Sequence, residues 1–148
     1  RNREASIVEM AHHLPSAVDD LLRQFTIHGL TYSKETLIAL VPHLDSRGNY
    51  YHLGAILHYI QRRCTYREFR DVLVDNEISS RMASYLMAIY VKFNALKIPC
   101  PTEIPWRTLG EAVRIINALN YQEILDFCRE NSAEDVKEFI KKEGGGDE

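Results

Sequence analysis

The sequence predicts an all-α, compact multi-helix bundle of about seven to nine short helices around a central buried helix at residues 79–97. Three observations predict it. First, a small polar residue is followed three positions later by an acid and then by an apolar stripe. This occurs at Ser16/Asp19, Thr65/Glu68, Thr108/Glu111, Asn120/Glu123 and Ser132/Asp135. In such a box the polar side chain accepts from an orphan backbone N–H while the acid reaches back to the cap. Second, apolar residues recur at helical rather than alternating spacing. Third, only 7 Gly and 5 Pro fall in 148 residues, too few for a turn-rich β or low-complexity chain.

In chain order, Val18, Leu21, Leu22 and Phe25 form the first stripe, and Gly29 supplies a C-terminal stop. Leu37, Leu40, Val41 and Leu44 form the second. Pro42 falls inside it, lacks a backbone donor, and is expected to kink or shorten that helix. Gly48-Asn49 resets the chain. Leu53, Ile56, Leu57 and Ile60 follow, then Phe69, Val72 and Leu73 in a shorter element. Residues 79–97 set Met82, Leu86, Ile89, Phe93 and Leu96 on one face and Ala83, Met87 and Val91 elsewhere on the wheel. No charge lies between Arg81 and Lys92. A helix apolar nearly all round belongs in the middle of a bundle, so this one is expected to be the most buried. Pro99, Pro101 and Pro105 make 98–105 an extended connector. Three stripes complete the chain: Leu109, Ala112, Val113 and Ile116; Ile124, Leu125 and Cys128; and Val136, Phe139 and Ile140. Elements this short depend on packing more than on propensity. The expected organisation is one domain over 1–143 with a Gly-rich acidic tail at 144–148. The two ends read as cuts in a longer protein.

The formal charge of -3 is mixed, so no strong bulk field gathers nucleic acid or anionic lipid. Residues 1–74 carry nine basic and eight acidic side chains, and residues 75–148 nine and thirteen, leaving the C-terminal half mildly acidic. No apolar run spans a bilayer and no membrane partner is expected. Cys64, Cys100 and Cys128 are odd in number and irregular in spacing. That suits reduced thiols in a cytoplasmic or nuclear setting.

Catalytic signatures are absent from the pattern. There is no Gly-rich phosphate loop, and no cofactor is implied. His12 and His13 are neighbours, and Glu9, four residues before His13, could share a helix face with it, but no further ligand has zinc-like spacing, so no metal is expected. His52 and His58, six apart, do not share a face. His28 and His43 sit near helix ends. Cys64 follows Arg62-Arg63 and precedes Arg67, a setting that favours a thiolate. A nucleophile would still need a positioned base. Cys128 falls on an apolar stripe, and Cys100 lies between prolines.

The one local charge anomaly is residues 61–70, with four arginines and one glutamate. Arg63, Arg67 and Arg70 project together if the helix runs on. The patch suits a protein partner, where arginine anchors interfaces. It also suits phosphates, with Tyr66 free to stack on a base, or solvent alone. Tyr50 and Tyr51, with Tyr59, are candidates for a groove rim, since tyrosine covers apolar area while keeping a polar tip. The candidate partner-binding residues are therefore Arg62, Arg63, Tyr66, Arg67, Arg70, Tyr50 and Tyr51.

Two resemblances add expectations. Leu14-Pro15 through Leu22, Gly29-Leu30-Thr31 and Lys34-Glu35 resemble the early helices of a caspase-recruitment-type death-fold domain. Residues 56–63 with Phe69 and Leu73 resemble its middle helices. That resemblance implies a signalling module. Tyr32-Ser33-Lys34, Leu37, Leu40 and His43-Leu44, with residues 93–100, are similar to the C-terminal helical domain of filovirus transcription-activating nucleocapsid proteins. That resemblance implies an RNA- or nucleocapsid-associated role in viral transcription. The expected function is non-enzymatic protein–protein interaction, as an adaptor or scaffold within a larger intracellular or viral protein. The expected partner is another protein or peptide segment, with RNA as the alternative and self-association open.

Overall fold

The computed structural model describes residues 32–44 and 50–145. The first cap and stripe, the Gly48-Asn49 break and the His12/His13/Glu9 group lie outside the described residues. Those described form seven α-helices and no strand. They are α1 Lys34–Leu40, α2 Tyr50–Arg63, α3 Tyr66–Asp75, α4 Ser80–Leu96, α5 Trp106–Ala112, α6 Tyr121–Glu130 and α7 Ala133–Ile140. Short 3-10 turns follow α1 and α5. A π-type turn at Lys141–Gly145 carries into the expected tail.

The caps decide where helices begin. Thr65 and Glu68 form a complete box on α3: Thr65 Oγ1 accepts the Glu68 N–H at 3.1 Å, and Glu68 accepts the Thr65 N–H at 2.9 Å. Ser132 caps α7 through the Asp135 N–H. Ser33 and Ser79, which lack an acid three residues on, cap α1 and α4 all the same. Two expected boxes do not form. Pro105, with its fixed φ, starts α5 at Trp106, so Thr108 lies inside the helix and is buried. Asn120 turns back from α6, accepting the Asn117 N–H and donating to the Ile115 carbonyl. Pro42 shortens its helix as expected: α1 stops at Leu40, and Val41–His43 is a 3-10 turn.

Helix α4 is the hub. It packs on α2 along one flank and on α5 along another, while α1 lies on α2, and α6 and α7 lie on α5. Its buried side carries Ala83, Leu86, Ile89, Tyr90 and Phe93. It is central, but α2 is the more buried: 7 of its 14 residues are buried, against 5 of 17 in α4. Ser84, Ala88, Val91 and Ala95 leave one side of α4 open to solvent. Small uncharged side chains tolerate water cheaply, so absence of charge did not mean burial all round.

The helices meet closely at two glycines. A Cβ on Gly54 would fall on the Leu86 carbonyl oxygen, so α2 and α4 approach backbone to backbone there. A Cβ on Gly110 would fall on the Tyr85 ring. Tyr85 therefore sits in a notch of α5, edge-on to Trp106 at 5.9 Å, and donates to Glu111 at 2.8 Å. The extended connector is held by Tyr50, whose hydroxyl lies 2.6 Å from the carbonyl oxygens of both Pro101 and Ile104. Lys92 reaches from α4 to the Ile116 carbonyl at 2.7 Å.

Candidate functional site

The break between α2 and α3 opens a hollow on the surface of the described residues. Arg63 ends α2, Thr65 caps α3, and residues of α3 and α4 together line the hollow. Phe69 and Leu73 from α3 and Ala83 and Met87 from α4 make an apolar floor. On each helix the lining residues follow the i, i+3, i+4, i+7 rule: Tyr66, Phe69, Arg70 and Leu73 face Ser80, Ala83, Ser84 and Met87. The α3 wall is bulky and the α4 wall small, so a groove of about 460 Å³ stays open between them. Gln61, Cys64 and Thr65 close one end.

The sequence-predicted residues separate into three groups. Tyr66 and Arg70 line this groove, and Tyr66 is 78% exposed. Arg62 and Arg67 are exposed beside it, and neither they nor Arg70 makes an ion pair among the described residues. Arg63 is turned inward. It donates to the Tyr32 carbonyl at 2.7 Å and lies over the Tyr59 ring. The turn at Cys64 swings α3 away from α2, so Arg63 does not project with Arg67 and Arg70. Tyr50 is buried and anchors the connector, which corrects its expected place on a groove rim. Tyr51 and Tyr59 gather on Tyr90 instead: Tyr51 packs against its ring, and the Tyr59 and Tyr90 hydroxyls lie 2.8 Å apart. Burial raises the phenol pKa of Tyr50, Tyr51 and Tyr90.

Sequence reasoning missed Phe69, Leu73, Ala83 and Met87 as groove residues. The stripe places Phe69 and Leu73 in the core, and Ala83 and Met87 stand as added apolar positions elsewhere on the wheel of α4; Phe69, Leu73 and Ala83 are buried and Met87 half-buried, yet all four border the hollow.

Cys64 does not become a favoured thiolate. Burial and the nearby Glu68 raise its pKa, outweighing Lys34. Burial pushes Cys100 up to about 12 and Cys128 up to about 11. All three thiols are unbridged. Burial lowers the pKa of His52 and His58. Among the described residues no group of three or more His, Cys, Asp or Glu side chains is placed to hold a metal. None of their helices is long and apolar enough to cross a membrane.

A second hollow, of about 510 Å³, lies across α3. Val41, Pro42, Leu53 and Met82 form its floor, and Asp75 and Glu77 its rim. Basic residues thus edge the groove at one end of α3 and acidic residues the hollow at the other. Comparison of the chain with protein-family models, curated proteins and solved structures returned no match.

Proposed function

We propose that this chain is a non-enzymatic protein–protein recognition module, an adaptor or scaffold domain that takes a partner segment in the α3–α4 groove. The observation that carries the reading is the apolar floor of Phe69, Leu73, Ala83 and Met87 under an exposed Tyr66 and an unpaired Arg70. An apolar side chain of the partner fills the floor and releases water from it, at roughly 25 cal/mol per Å² buried. Tyr66 folds over the segment, and Arg70 with Arg67 favours acidic residues beside the anchor.

Selection from a displayed random-peptide library tests this. Peptides carrying one or two large apolar residues next to Asp or Glu should be enriched, and should lose binding to Met87→Arg and Tyr66→Ala variants. Absence of enrichment, or binding indifferent to Met87→Arg, would sink the reading.

The alternative partner is RNA. Tyr66 standing exposed among Arg62, Arg67 and Arg70 favours it, since stacking and phosphate contacts then come from one short segment. Binding of single-stranded RNA at two salt concentrations separates the readings. Phosphate contacts give affinity that falls steeply with salt.

A further inference from the structure

The outward face of α3 carries charges in an order that works against its own helix. Arg67 and Arg70 lie in its N-terminal half, Asp71 and Asp75 in its C-terminal half. Helix backbone dipoles leave partial positive charge at the N-terminus and partial negative charge at the C-terminus, so they favour the reverse order. None of the four makes an ion pair among the described residues, although Arg67 and Asp71 stand one helical turn apart. Glu68, the acid that does suit the first turn, is turned away toward Thr65 and Lys34. Beside these charges Val74 is 67% exposed. Neither helix stability nor internal pairing accounts for this face.

We infer that it is a self-association surface, taking α3 of a second copy of the chain in antiparallel orientation about a two-fold axis. The charge order identifies the occupant. A basic half followed by an acidic half complements itself when one helix is reversed, whereas a parallel pairing sets like charge on like. Two-fold symmetry then forms every contact twice. Arg67 and Arg70 of each copy lie over the Asp71 and Asp75 region of the other, and Val74 meets the aliphatic stems of the opposing arginines. A small, charged, solvent-rimmed surface gives weak association that salt opposes. Arg67 and Arg70 also edge the α3–α4 groove, so the Asp71→Arg with Asp75→Arg variant, which keeps both arginines, separates loss of this contact from loss of groove binding.

Two double variants test it in the full chain. Arg67→Glu with Arg70→Glu makes the face wholly acidic, and Asp71→Arg with Asp75→Arg makes it wholly basic. Each change improves agreement with the helix dipole, so helical circular dichroism should be kept, and lost association cannot be ascribed to unfolding. By sedimentation equilibrium the wild-type chain should dimerise at high concentration and dissociate as salt rises. Each variant alone should be monomeric, and an equimolar mixture of the two should restore the dimer. A wild-type chain monomeric up to millimolar concentration overturns the inference. So do variants that associate as wild type does, or a mixture that stays monomeric.

Discussion

Gly54 occupies a point where the missing side chain lets two main chains touch. In an open helix, replacing glycine by alanine gains roughly 0.5–1 kcal/mol. Here the added Cβ meets the Leu86 carbonyl oxygen, which cannot rotate away. Gly54→Ala is therefore expected to destabilise by about 2 kcal/mol or more, a reversal of sign readable by urea unfolding. Cys128 is buried and Cys100 half-buried, and that has a pH consequence. In the unfolded chain the thiols ionise near their ordinary value of 9.0, but in the folded chain Cys128 holds its proton to about 11 and Cys100 to about 12. The folded state thus binds more protons across that interval. Stability contributed by these groups is complete below pH 9 and falls as pH rises through the window. Unfolding midpoints measured from pH 7 to 11 should show the decline, and replacing both residues by alanine should flatten it. Cys128 announces its burial by falling on an apolar stripe, whereas Gly54 does not announce its role, which depends on Leu86 of another helix.

At the level of elements, caps were the most legible feature. Thr65 with Glu68 forms the box that its spacing predicts, and Pro42 stops its helix for the expected reason. Thr65→Ala is expected to cost about 1 kcal/mol, lowering the melting temperature by roughly 3 °C in a calorimetric scan. Thr108 and Asn120 carried the same signal and fail as caps. Pro105, immediately before Trp106 and three residues ahead of Thr108, starts α5, and the Asn120 side chain takes the Asn117 N–H rather than an amide of α6. Such competition is decided within a few residues, yet a pattern of type and spacing does not rank the competitors. The arginine patch shows the same limit. Arg62, Arg67, Arg70 and Tyr66 are as exposed as their composition suggested, while Arg63 is diverted by the Tyr32 carbonyl, thirty-one residues away in sequence.

Over the whole molecule, α4 is shared by two half-cores, one built on α1 and α2 and the other on α5, α6 and α7. Its centrality was legible from the uncharged run, because an uncharged surface flanked by neighbours buries more than a charged one. Its open side was not, since that depends on how many neighbours the chain supplies. Sharing one helix couples the halves. Leu86→Ala is expected to cost about 3 kcal/mol, and Trp106 fluorescence, which reports the α5 half, should move together with far-ultraviolet dichroism. Two separated transitions would show that the halves fold independently.

The segment between α4 and α5 is tied down by Tyr50 at its end rather than by helical structure. Its covalent continuity therefore matters less than the fit of the Tyr85 ring into α5. A polypeptide severed near Thr102 would behave as a pair of complementary fragments, each insufficient alone, that recover the native arrangement on mixing. The same site would make a natural place to divide the chain for a split reporter.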